Sequence, residues 1–187
     1  MKNITAILAV LMMIFVGLAC SGEETEKANG LVDEANKFIV EGNKNVTDAE
    51  TKGTKFDKMV SEAEGTKAEQ DEITEFGNKE LIPLYDKMKD NFQKAGEKFE
   101  AASKLKLNDK YKEYLETKAA EFKKRAEYSE SLKAIPKTLA NSKTKEDYAA
   151  SVKKDVENSQ KILKEAQELA DKASKIQKDN PTVIQQS

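Results

Sequence analysis

From residue 23 onward, apolar side chains recur three and four positions apart, and no run alternates with period two. That spacing is the signature of amphipathic helices, and Ala, Glu and Lys, all strong helix formers, fill most of the positions between. Ser21 with Glu24 reads as a capping box opening a first helix. Its apolar face is Ala28, Leu31, Ala35, Phe38 and Gly42, flanked by Val32 and Ile39. Gly42-Asn43 reads as its stop. A weaker second helix starts at Thr47 or Asp48, with Glu50 completing a capping box, and carries Phe56, Met59, Val60 and Ala63 to Gly65. The stretch 43–77 reads equally as two short helices or as a loop.

The third segment runs from Thr66 to Ser103 through Phe76, Leu81, Leu84, Met88, Phe92, Ala95, Phe99 and Ala102. Pro83 interrupts it, removing a backbone donor and crowding the carbonyl four residues back, so a kink or break is expected near Gly77 to Ile82. Asn108 caps the next helix, whose face is Tyr111, Leu115, Ala119, Phe122, Ala126 and Leu132 or the Lys133 stem, and Pro136 is expected to end it after Ile135. Thr144 with Asp147 opens the last long helix. Val152, Val156, Ser159, Ile162, Ala166, Leu169, Ala173 and Ile176 lead it to a stop before Pro181, and the last five follow a heptad rule. A helix over 145–179 is about 50 Å long. The expected fold is therefore all-α: an elongated antiparallel helical bundle of about four to five helices with coiled-coil-like packing, spanning 28–179, with a flexible tail over 180–187.

Composition removes many functions. The 187 residues contain no histidine, no tryptophan and one cysteine, and 35% of them are charged. A multi-cysteine metal site and a histidine acid/base pair are both excluded. No glycine-rich phosphate loop, nucleophile elbow or EF-hand ligand run occurs, and no cofactor is expected. Leaving out Lys2, 31 basic side chains face 34 acidic ones, a net charge of −3, which lacks the basic excess of a nucleic-acid surface. Acid–base pairs four apart, Glu75–Lys79, Asp90–Lys94, Glu100–Lys104, Glu121–Arg125, Glu168–Lys172 and Asp171–Lys175, read as solvated helix faces.

Two clusters carry candidate chemistry. Glu62, Glu64, Glu69, Asp71, Glu72 and Glu75 fall within 14 residues, a density that suits either a hard cation or the amino end of a helix. Tyr85, Tyr111, Tyr114, Tyr128 and Tyr148 lie on or beside the apolar stripes, as core and rim residues or as a ligand pocket. Alanines 95, 102, 119, 126, 166 and 173 on the same stripes let helices approach closely.

The first 20 residues, MKNITAILAVLMMIFVGLAC, differ from the rest: only Lys2 is charged and 16 are hydrophobic. Lys2 forms a positive n-region, Ile4 to Val16 an apolar h-region, and Gly17-Leu18-Ala19 a run ending in a small residue directly before Cys20. This segment resembles the signal peptide of bacterial lipoprotein precursors, although Gly17 stands where that family prefers leucine, with Leu18 next to it. The resemblance implies a signal peptide over 1–19, cleavage between Ala19 and Cys20, and lipidation of Cys20 followed by a short tether over 20–27. It implies a lipid-anchored protein of the bacterial cell envelope. Ser21 is not the aspartate that favours inner-membrane retention, so the resemblance points to the outer membrane, facing the periplasm or the cell surface. Two or three acyl chains hold such a domain stably, where one holds it marginally. Partners would be the membrane through covalent lipid, a protein or cell-wall component, and further copies through the helices, with no enzymatic activity. The alternative is a lipid- or client-binding chaperone-like module, which requires an apolar groove that persists after the helices pack.

Overall fold

Local side-chain caps set the starts of three helices. In the computed structural model, which describes residues 22–142 and 144–184, α1 runs over Glu23–Glu62, α2 over Lys67–Phe76, a π-helical turn over Gly77–Leu81 and α3 over Ile82–Ser103. They are followed by α4 (Asp109–Leu132), α5 (Ala134–Asn141), α6 (Lys145–Asp179) and α7 (Pro181–Ile184). No strand occurs among the described residues. Thr66 and Glu69 form a reciprocal capping box at α2, the Asn108 side chain accepts from the Lys110 amide at α4, and Thr144 accepts from the Asp147 amide at α6. Gly65, at φ 93°, provides the left-handed residue between α1 and α2 that side-chain-bearing residues rarely adopt.

Several boundaries differ from the sequence expectation. Gly42-Asn43 does not stop a helix and Thr47 or Asp48 does not start one, because α1 passes through both. The polar residues that suggested a boundary are satisfied inside the helix: Thr47, Thr51 and Thr54 donate back to the carbonyls four residues earlier, and Asn45 donates to Glu41. At the start of α1 the N-cap is Gly22, without a side-chain bond, and Ser21 lies outside the described residues. Pro136 does not terminate α4, which ends four residues earlier, at Leu132. It sits buried in the first turn of α5, where a missing amide costs little. The tether assigned to 20–27 is helical from Glu23, and Pro181–Ile184 of the assigned tail form a helical turn. Near Pro83 the expected break is the π turn, in which the Ile82 amide reaches back to the Gly77 carbonyl.

The helices pack in chain order and antiparallel. Lys98 pairs with Glu34, Lys94 lies over the Phe38 ring, Phe92 meets Gly42 and Lys52 pairs with Glu80, so α3 descends as α1 rises. Lys123 with Glu100, Lys89 with Glu130 and Lys133 with Asp86 give α3 and α4 the same relation. Ser131 with Ser159 and Lys124 with Glu165 do so for α4 and α6. Helix α1 and helix α6 do not pack against each other along their length. At 40 residues α1 is about 60 Å long, and α2, the π turn and α3 together cover it.

The seam of α1 is a heptad of mostly small residues, Ala28, Ala35, Gly42, Ala49 and Phe56, all buried. The expected alanines of the other helices, 95, 102, 119, 126, 166 and 173, are buried as well. Phe92 and Phe99 of α3 close on Phe122 of α4, with ring centroids 6.0 and 5.7 Å apart, and these rings form the middle of the core. A Cβ on Gly42 would lie 2.5 Å from Phe92 Cε1, whereas Gly30 and Gly53 of the same helix have nothing within 4 Å. Gly42→Ala should therefore lower stability, because crowding a packed ring costs about 1–3 kcal/mol and outweighs the gain of up to about 1 kcal/mol in helix propensity. Gly30→Ala should raise stability by about 0.5–1 kcal/mol. Urea midpoints of the two variants moving in opposite directions is the expected result.

Candidate functional site

Cys20 and Ala19, the lipidation and cleavage residues of the sequence reading, lie outside the described residues. The acidic cluster is within them and is largely engaged in local structure. One Glu69 carboxylate oxygen accepts from the amides of Glu64, Gly65 and Thr66 at 3.1, 3.1 and 2.9 Å and from the Thr66 hydroxyl at 2.8 Å. Those bonds, that from the Thr66 amide foremost, hold Glu69 below the usual carboxylate range. Lys58 pairs with Glu62, Lys67 with Asp71 and Lys79 with Glu75. No group of acidic side chains spaced to hold a metal ion occurs among the described residues.

The expected face pairs form only in part. Glu75–Lys79 and Glu100–Lys104 are exposed pairs, and Lys104 together with Lys123 holds the Glu100 carboxyl down to about 2. Asp90–Lys94, Glu168–Lys172 and Asp171–Lys175 do not form. Lys94 covers Phe38, Lys164 takes Glu168, and Gln167 donates to Asp171. The pair read as solvated at Glu121 and Arg125 is instead buried: Glu121 is 2% exposed and accepts from Arg125 Nε at 2.8 Å and Lys118 Nζ at 2.6 Å. Lys118 Nζ also sits 4.7 Å from the centroid of Phe122, and the Arg125 guanidinium 5.7 Å from it. The signal for this burial was a stripe on α4 stepping four and three, Tyr114, Lys118, Glu121, Arg125 and Tyr128, directly beside the apolar one. A charge on that stripe must be paired on its own helix before the neighbours close over it.

The tyrosines separate into two groups at opposite ends of the bundle. At one end the Tyr111 hydroxyl donates to Asn29 Oδ1 at 2.7 Å and its ring stacks on Tyr114. At the other, Tyr85 of α3, Tyr128 of α4 and Tyr148 of α6 gather with Asp57 of α1. Burial, then the fields of Tyr128, Asp57 and Tyr148, push the Tyr85 phenol up. Tyr128 is raised by burial and by Glu50. Tyr148 is pushed up to about 12 by burial, then by Asp57 and Asp155. Desolvation also raises Asp57. Tyr85 and Tyr148 are each 8% exposed. Neither they nor Tyr128 donates a hydrogen bond to a described residue, and among the described residues no fully occluded side-chain polar atom lacks a partner. The three hydroxyls therefore open onto water from largely buried rings. Asp155 accepts from Thr138 of α5 at 2.6 Å, and Gly77 of the π turn packs within reach of Phe56 and Pro136, which closes this end from behind.

No family model, curated protein or solved structure matches the chain.

Two outcomes follow from the buried groups. Glu121→Gln leaves Lys118 and Arg125 without a counter-charge in a largely closed space and should cost about 2–4 kcal/mol of stability, whereas Glu34→Gln, which breaks an exposed pair with Lys98, should leave the urea midpoint almost unchanged. Raised phenols keep their protons in the folded chain after the unfolded chain has released them, so they stabilise fully below pH 10 and lose that contribution as pH climbs toward and past 12. Unfolding midpoints measured across that range should fall with pH, and Tyr148→Phe should flatten the fall.

Proposed function

We propose that this chain is a lipid-anchored lipoprotein of the bacterial cell envelope. Its role is non-enzymatic, structural or protein-binding, and is exercised through the elongated bundle. The observation that carries the reading is the position of the single cysteine: Cys20 ends a short apolar run behind Lys2 and directly follows the small residue Ala19. The fold supports it in a second way. A bundle about 60 Å long, beginning at Glu23 almost next to Cys20, would carry its far end, with Tyr85, Tyr128 and Tyr148, well away from the anchored end. No helix among the described residues is long and apolar enough to cross a membrane, and covalent lipid would supply the attachment.

The chaperone-like alternative needs an open apolar groove. Among the large apolar side chains described, only Val40 is exposed, and this favours the structural or protein-binding role.

Cells fed a labelled fatty acid should mark the wild-type chain and not Cys20→Ala, and crosslinking on the same cells should recover a specific protein or cell-wall partner. Equal labelling of the two chains would remove the anchor from the proposal, and crosslinks to no specific partner would remove the interaction role.

A further inference from the structure

One part of the bundle is closed by large apolar side chains and another by small and polar ones. The rings at the middle of the core, Phe92, Phe99 and Phe122, belong to α3 and α4, and Phe56 of α1, Met88 of α3 and Leu115 of α4 are buried with them. Helix α6 brings little of that kind. Among its described residues Tyr148, Ser159, Ala166, Ala173 and Ile176 are buried, five in a helix of 35, whereas the 22 residues of α3 bury eight. The two large ones stand near the ends of α6. Between them the seam is a serine and two alanines, with Ile162 and Leu169 only half-buried, so little apolar area leaves water when α6 docks.

The surface that α6 covers is polar and complete without it. Contacts of Ser131 with Ser159 at 2.8 Å and of Lys124 with Glu165 at 3.1 Å set a stripe of α4 against α6, Thr117, Glu121, Lys124, Tyr128 and Ser131, spaced four and three. Apart from Tyr128, each has a partner on α4 itself. The Thr117 hydroxyl donates to the Glu113 carbonyl at 2.7 Å, and that of Ser131 reaches the Tyr128 carbonyl at 2.7 Å as well as Ser159. Lys124 pairs with Glu127 at 2.6 Å, and Glu121 with Lys118 and Arg125. Departure of α6 therefore strands none of these groups, and stranding a polar group is the large penalty in breaking a buried polar contact.

Helix α5 is fastened on its other side. Gln70 of α2 donates to the Leu139 and Ser142 carbonyls at 3.1 and 2.6 Å, and Pro136 packs on Gly77. To α6 it gives one side-chain hydrogen bond, between Thr138 and Asp155 at 2.6 Å. The body thus holds the chain as far as Ser142, and α6 begins just beyond, at Lys145.

We infer that α6 is a releasable strap, which separates from α4 as one unit while α1 to α5 stay packed. The self-paired stripe on α4 makes the separated state accessible, because it is satisfied with its cover or without it. Lipidation of Cys20 has no bearing on this, since every group involved belongs to the bundle.

Hydrogen exchange, followed by mass spectrometry on the full chain in detergent, tests the separation. The amides of 152–176 should exchange together, at least about 100-fold faster than the slowest amides of α1, α3 and α4. Ser131→Cys with Ser159→Cys, in a Cys20→Ala background, places two thiols where the hydroxyl oxygens already face each other. Oxidation should slow exchange in α6 about tenfold or more, and a reductant should restore it. Protection of α6 equal to that of α3 and α4 in the unmodified chain would overturn the inference. So would exchange in α6 that the disulfide leaves unchanged, since it would report fraying within the helix and not departure from α4.

Discussion

The approach of α1 to α3 at Gly42 is the constraint on which the rest of the bundle depends. Phe92 occupies the space a Cβ would take there, and the same ring continues through Phe122 to Phe99. One side chain thus links three helices. Burying each such ring contributes about 2–3 kcal/mol, and the small residues at Ala28, Ala35 and Ala49 extend the close seam along α1. At 22 residues, α3 alone is too short to cover the 40 residues of α1. The chain completes the cover with α2 and the π turn. The turn lies just before Pro83, whose missing amide falls in the first turn of α3.

A bundle built from helices in chain order leaves its first and last members unjoined, and this has consequences for chemistry. With α1 and α6 not packed together, polar groups between them remain reachable by water even when their rings are buried. The Tyr85, Tyr128 and Tyr148 hydroxyls belong to that class. Glu121 faces the opposite situation. Its carboxylate is enclosed and is tolerated because Lys118 and Arg125, one turn away on either side of the same helix, pair with it.

The helix starts were legible in the residues because a cap is a local bond: Thr66 with Glu69, Asn108 and Thr144 act within four positions of themselves. The two failures at Gly42 and Pro136 share a cause. Each is a helix breaker in isolation, and each is used for what it lacks or presents sideways: Gly42 has no Cβ in the way of Phe92, and Pro136 packs its ring on Gly77. Nothing within four residues of either position carries that information. The tyrosines were visible as candidates, but not their division into a hydrogen-bonded pair at one end and three open hydroxyls at the other, since that depends on which helix ends coincide.

By itself, the sequence determined that the chain is helical, where three of its helices begin, and that its one cysteine stands behind an apolar leader-like run. Period, propensity and capping act over a turn or two of chain and need no partner. The tertiary structure decided that α1 runs unbroken past Gly42, that Glu121 is enclosed, and that four helices bring Asp57 and three phenols to one place. Those outcomes depend on contacts between residues dozens of positions apart, and only packing brings such residues together.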